Sequence, residues 1–302
     1  MTAKTGKDID SLIEQGLNVE KSELDLREKE LDDEDLKKIV ESGKVKGITA
    51  LFLEFNEIGD DGIKALLDSE NMKYLTALNL FKNQVTDEGM KAMAQSKTLL
   101  NLSELIMSDN KIGPAGARAV AESKTLSNLI SFWVGSDLGD DGVEALATSD
   151  TLIRLNLLSL YRNNIGNVGA MAIAASKNLS TLTELNLNWN YVEGEGVEAL
   201  ANSETLKNLT QLTLTYNPIG SQGAIAIANS PNFKKMTLLD LYEAEIGDEG
   251  ARALAQSKYL NHLETLILIR NDISPEVQKL FQNSNTLQKL TQVMFRPAGE
   301  VN

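Results

Sequence analysis

A short pattern recurs along this chain at a nearly fixed interval and constrains the fold more tightly than any single motif does. Residues 51–66 read LFLEFNEIGDDGIKAL, residues 212–227 LTLTYNPIGSQGAIAI and residues 239–254 LDLYEAEIGDEGARAL. The shared form is LxLxxNxIGxxGxxAL. Marked by the second apolar residue of its LxL core, it falls at Leu26, Leu53, Leu80, Met107, Val134, Leu160, Leu187, Leu214, Leu241, Leu268 and Phe295, every step being 27 residues except the 26 between Val134 and Leu160. A unit of that length buries too little surface to fold alone, so a run of such marks implies a stack in which each unit shares its core with its neighbours. One continuous domain then accounts for all 302 residues, where length alone suggests two.

Each unit reads as strand, loop, helix and return. The LxxLxLxx run alternates apolar with other residues, as a half-buried strand does. The Asn that follows (Asn56, Asn83, Asn110, Asn163, Asn190, Asn217, Asn271) carries donors and an acceptor suited to bonding the backbone of adjacent turns. Next comes a Gly such as Gly59, Gly113, Gly166, Gly220 or Gly247, where the chain is expected to turn. Acidic pairs such as Asp60-Asp61 and Asp140-Asp141 suit a helix N-terminus through capping and the helix dipole. A small-residue helix follows, ending near a recurrent Ser, from Ser69 to Ser284. Parallel strands stack on one side and helices on the other. Because helices are wider than strands, the expected fold is an α/β horseshoe solenoid, with a parallel sheet on its concave face and helices on its convex face. Residues 1–21 lie outside the pattern, and Ile9, Leu12, Ile13 and Leu17 at helical spacing point to an N-terminal helical cap. The array spans 22–295, about ten repeats and eleven strands, followed by a tail, 296–302, in which Pro297 would blunt the sheet edge. The pattern breaks twice. The short unit FWVGSDLGDDG lacks one residue between Val134 and Leu138 and has Ser136 or Asp137 in place of the Asn, and Ala244 replaces another Asn.

The LxxLxLxxNxIGxxGxxAL unit resembles the ribonuclease-inhibitor-like class of leucine-rich repeat. The near-uniform 27-residue unit, with its linker S-x-x-L-x-x-L, is most similar to bacterial members, among them effectors that intracellular pathogens inject into host cells. The resemblance implies a non-enzymatic scaffold that captures another protein on its concave face, inhibition being one way such capture acts.

Composition narrows the partners. The net charge of −14 and pI near 4.7 repel phosphate backbones, so a protein partner with a basic rim or an apolar centre is expected and nucleic acid is not. No Cys is present to form a disulfide or a thiolate, and no apolar run is long enough to span a membrane. The first residues carry no secretory apolar segment, which implies a cytoplasmic protein, or one exported into a host cytosol without an N-terminal signal. The single His, His262, has no second His or Cys beside it, so neither metal, cofactor nor catalytic machinery is expected. The chain is expected to be a monomer on its own.

With the register set, the residue between the two Leu and the one after the marker face the concave side, and the next lies at the rim. Phe52, Phe55, Phe81, Trp133, Tyr161, Trp189, Tyr191, Tyr216 and Tyr242 all fall on or beside these positions, with Arg162, Ile269 and Arg270 among them. Residues best suited to a core are thus placed largely outside it, and Trp, Tyr and Arg are the types enriched at interface hot spots. Stacking between neighbours such as Trp189, Tyr216 and Tyr242 is the structural alternative. Acidic side chains on this face (Glu54, Glu104, Asp109, Glu184, Asp240, Glu243, Glu245) outnumber basic ones (Lys82, Lys111, Arg162, Arg270). Two other functions remain open: a regulator of a GTPase or other enzyme, which would call for a polar rim cluster, and a carbohydrate-binding module, which would favour isolated aromatic pairs.

Overall fold

The computed structural model describes residues 7–282 and 284–295, so Pro297 and the rest of the tail lie outside the described residues. The chain divides into two compact units, Met1–Ser136 and Asp137–Asn302. In the first, helix α1 (Ile9–Gly16) precedes strands β1 (Glu23–Asp25), β2 (Ala50–Phe52), β3 (Ala77–Asn79), β4 (Glu104–Ile106) and β5 (Ser131–Trp133). These alternate with helices α2 (Asp33–Glu41), α3 (Asp60–Asp68), α4 (Asp87–Ala94) and α5 (Pro114–Ala121). The strands pair in parallel and in chain order, placing Leu24, Leu51, Leu78, Leu105 and Phe132 side by side.

The second unit is built in the same way. Strands β6 (Leu157–Ser159), β7 (Glu184–Asn186), β8 (Gln211–Thr213), β9 (Leu238–Asp240), β10 (Thr265–Ile267) and β11 (Gln292–Met294) alternate with helices α6 (Gly139–Ala147), α7 (Asn167–Ala175), α8 (Gly194–Ala201), α9 (Gly220–Asn229), α10 (Gly247–Ala255) and α11 (Pro275–Gln282). Leu158, Leu185, Leu212, Leu239, Leu266 and Val293 share one register. This is the parallel α/β repeat architecture that the periodicity demands. In the repeats before the last the core holds both LxL residues, the Ile or Val of the loop (Ile58, Val85, Ile165) and the linker leucines (Leu99, Leu102), whereas Val293, Phe295 and Leu290 at the end are only half-buried. Burying each such side chain contributes about 1.5–3 kcal/mol.

Three ladders of side chains close the joints between repeats. The first is the Asn column. Asn190 Nδ2 donates to the carbonyls of Leu160 (3.0 Å) and Leu187 (2.8 Å), and its Oδ1 accepts from the amides of Asn163 and Ile165, both 3.0 Å. At Ala244 this rung is missing, and the Ile219 amide upstream turns instead to the Asn217 carbonyl at 2.8 Å. Gly220 follows at φ +63°, a left-handed turn that glycine accepts without a steric penalty. In the short unit the Ser136 hydroxyl donates to the Asn110 carbonyl at 2.9 Å, and Gly139 at φ +58° begins the next helix early.

The second ladder corrects the expectation that the acidic residues cap their own helices. At the start of α3 the cap residue Gly59 makes no side-chain bond. Asp60 reaches forward instead, its Oδ1 accepting from the amides of Thr86 (2.8 Å) and Gly89 (3.0 Å) in the next repeat. Asp87 serves Gly113 and Gly116, and Asp140 serves Gly166 and Gly169, in the same way. The run at Asp32 does start a helix as expected, through a capping box with Asp35.

The glycine reading changes with it. Gly59, Gly113 and Gly166 lie at φ between −110° and −102°, an extended conformation that Thr86 and Glu193 adopt at the equivalent positions. The glycine three residues later is the constrained one: a Cβ on Gly89 would stand 2.5 Å from Asp60 Oδ1 and 2.6 Å from Val85 Cγ1. The third ladder is Ser. The hydroxyls of Ser123 and Ser176 donate at 2.6 Å to Ala94 and Ala147, last-turn carbonyls that the preceding helix leaves unpaired.

Candidate functional site

The face of each sheet opposite the leucines is where the aromatic residues gather, and a local turn device presents them. In several repeats the last strand residue is Asp or Asn, and its Oδ1 accepts the amide two residues on: Asp25 from Arg27, Asn79 from Phe81, Asn186 from Asn188 and Asp240 from Tyr242, at 2.9–3.1 Å. This side chain ends the strand by a local backbone bond. The next residue turns left-handed. Glu28, Phe55, Lys82 and Asp109 in the first unit, and Arg162, Trp189, Tyr216, Glu243 and Arg270 in the second, hold this position with φ between +49° and +58°. Phe55 gives its amide to the Phe81 carbonyl (3.0 Å) and Trp189 to the Thr215 carbonyl (2.7 Å), each in the next repeat. An L-residue in this conformation costs about 1–2 kcal/mol relative to a right-handed one. Neither the turn device nor the left-handed position was expected from the sequence; the Asx residues at 25, 79, 186 and 240 were the available signal.

In the second unit Trp189, Tyr216 and Tyr242 meet across three successive strands. The Trp189 and Tyr216 centroids are 3.9 Å apart at 31°, and those of Tyr216 and Tyr242 are 5.3 Å apart at 47°. Arg270 closes the row, its guanidinium 5.7 Å from the Tyr242 centroid and 3.0 Å from the Glu243 carboxylate. Trp189 remains 49% exposed and Tyr191, on the loop beyond, 65%. Arg162 lies 5.8 Å from the Tyr161 ring centre. Ile269 is 7% exposed, so it offers little surface of its own.

In the first unit the rings of Phe55 and Phe81 meet edge to face at 5.2 Å, and the Lys82 ammonium sits 5.0 Å from the Phe55 centroid. Phe52 is half-buried on β2, as is Trp133 on β5, whose indole donates to Ser131 Oγ at 3.0 Å.

Two carboxylates on these faces are desolvated. Burial pushes Glu54 and Asp240 above the ordinary carboxylate range. Asp25 moves the other way, held down by the Arg27 guanidinium beside it. The Tyr216 phenol is raised by its hydrogen bond with Tyr242. His262 is exposed and contacts Asn261. Among the described residues no three metal-ligating side chains come together, and no helix is long and apolar enough to cross a membrane. The arrangement offers flat aromatic surface and fixed charge, the means of recognition.

Comparison with known proteins agrees with this architecture. A family model described as Leucine Rich repeat matches residues 48–67, 71–94, 98–121, 155–174, 178–201, 205–228 and 234–255, together more than half of the chain. Among solved structures the chain is similar to an internalin (inlF) from Listeria monocytogenes, at 20% identity and a TM-score of 0.49, over 89% of this chain and 76% of that one. No curated protein matches. Leucine-rich-repeat domains are generally non-enzymatic scaffolds that bind other proteins, and with seven of its repeats matched, this chain belongs to the leucine-rich-repeat family.

Proposed function

We propose that this protein captures a protein partner on the exposed face of its sheet, with Trp189, Tyr216 and Tyr242 as the anchor, and that occupying the partner's surface is how it acts. The observation that carries this reading is the row of three touching rings, two of them on left-handed turns at φ +57° and +56°. Stacking yields about 0.5–1.5 kcal/mol per pair and leaves ring surface over, since Trp189 is still 49% exposed. Large amphipathic rings on rigid elements are what an interface anchor needs. The net charge of −14 favours a partner whose rim is basic.

The finer assignment is to the ribonuclease-inhibitor-like class, in a bacterial effector exported into a host cell or a regulator of another effector. Its support is the near-uniform 27-residue unit. A secretion assay with a reporter fused to the chain tests export. For the binding reading, wild type and the Trp189→Ala/Tyr216→Ala/Tyr242→Ala variant are immobilised side by side and the captured proteins compared by mass spectrometry. Loss of a partner from a variant that still melts cooperatively is the expected result; a folded variant that keeps every partner would refute it.

A further inference from the structure

The first unit carries a charge that its own fold leaves unanswered. Glu54 follows the marker Leu53 on the exposed face of the sheet, yet it is only 8% accessible. Its Oε1 accepts from Asn79 Nδ2 at 2.7 Å, while its Oε2 is shut away from water with no hydrogen-bond partner. A buried carboxylate oxygen without a donor is a destabilising arrangement. A cation for it stands one strand away, since Arg27 occupies the equivalent position on the preceding repeat. That guanidinium is committed elsewhere: both its Nε and its Nη2 donate to Asp25. Lys82 is likewise engaged, over the Phe55 ring.

From this geometry we infer that Glu54 is the receptor for an arginine or lysine side chain of a protein partner, seated beside Phe55 and Phe81. The inference rests on the reading of the sheet face as a protein-binding surface and names the chemistry of one contact on it. Charge favours a cation here, since Asp25, Glu28, Glu54 and Asp109 outweigh Arg27 and Lys82 on the inner and rim columns. The aromatic wall already accepts a cation, as Lys82 over Phe55 shows. Access requires an exposed neighbour to move, and the Arg27 side chain, 55% accessible, is placed to do so. Burial also holds the Glu54 carboxyl above its usual range, an effect that the charge of Arg27 only partly offsets. Arginine suits the site better than lysine because its planar fork can serve Oε2 while lying flat against an aromatic ring.

The test uses hexa-arginine as probe, titrated calorimetrically at about 150 mM salt, where weak long-range attraction is screened. Glu54→Gln is expected to weaken binding by about tenfold, while Glu57→Gln, an exposed carboxylate just past the strand, leaves it unchanged. Glu54→Gln is also expected to melt no lower than wild type, because it removes an unpaired buried charge. Equal affinity of Glu54→Gln and wild type overturns the proposal, as does an equal loss in Glu57→Gln, which would reveal non-specific attraction. Should Glu54→Gln fail to fold, the wild type decides. Hexa-arginine must then shift the side-chain amide resonance of Asn79 and leave that of Asn178, in the second unit, in place; an unmoved Asn79 overturns the proposal. These outcomes are independent of the Trp189 variants, so failure here leaves the aromatic anchor to be judged on its own experiment.

Discussion

Trp189 and Tyr216 lie one repeat apart, with centroids 3.9 Å from each other, and each holds a left-handed backbone, at φ +57° and +56°. A double-mutant cycle of Trp189→Ala and Tyr216→Ala, followed by chemical denaturation, is expected to give a coupling of about 0.5–1.5 kcal/mol. A coupling of zero would mean that the rings touch without stabilising the repeat.

The Asn column predicts a larger loss. Asn190→Ala removes four bonds at 2.8–3.0 Å and strands the amides of Asn163 and Ile165, while the Leu187 carbonyl keeps its bond from Asn217 Nδ2 at 2.8 Å. The expected cost is about 2–4 kcal/mol by urea denaturation. A cost below about 0.5 kcal/mol would show that the turn re-pairs its own backbone, as the Ile219 turn does above Ala244.

Glycines in this chain differ in what they tolerate. Gly89→Ala drives a methyl against Asp60 and Val85, and is expected to destabilise by about 1–3 kcal/mol. Gly43→Ala meets nothing within 4 Å and is expected to be neutral or mildly stabilising. Thermal melts of the two variants side by side check the contrast.

Burial raises the Asp240 carboxyl above its ordinary 3.8, so the folded state holds this proton more tightly than the unfolded chain. The stability from this group is therefore fullest below 3.8 and falls as pH rises through the folded-state value. Asp240→Asn keeps an oxygen for the Tyr242 amide, as Asn186 does for Asn188. The variant is expected to melt about 1–3 °C above wild type near neutral pH, with the gap closing on acidification below the unfolded value. A gap that widens in acid would contradict the assignment.

What the sequence discloses follows from what repeats. Strand register, the buried leucines and the order of elements all depend on a 27-residue periodicity, and they are legible because hydrophobic burial is enforced in every turn. The placement of Trp189, Tyr216 and Tyr242 in one row followed from counting. Bonds between repeats were harder to read. Asp60 looks like a cap for its own helix, and only distances show that its oxygen serves Thr86 and Gly89. The left-handed position was hidden because Phe55, Trp189 and Tyr216 are residue types that seldom turn this way. Glu54 and Asp240 are ordinary acidic residues in sequence, and their desolvation depends on side chains 25 or more positions away, such as Asn79.

The bonding between repeats has a direction, and that makes the two ends of an array chemically unlike. Asp60 gives its oxygen to the repeat ahead, whereas Asn83 and Ser123 give their donors to the repeat behind. A repeat with nothing before it lacks the acceptor for its helix start, and α2, which follows α1 and not a repeat, supplies its own through the Asp32–Asp35 box. An interior repeat moved to the front of a shortened array would therefore need that box grafted onto it, while the same repeat moved to the back would need a donor for its last helical carbonyl.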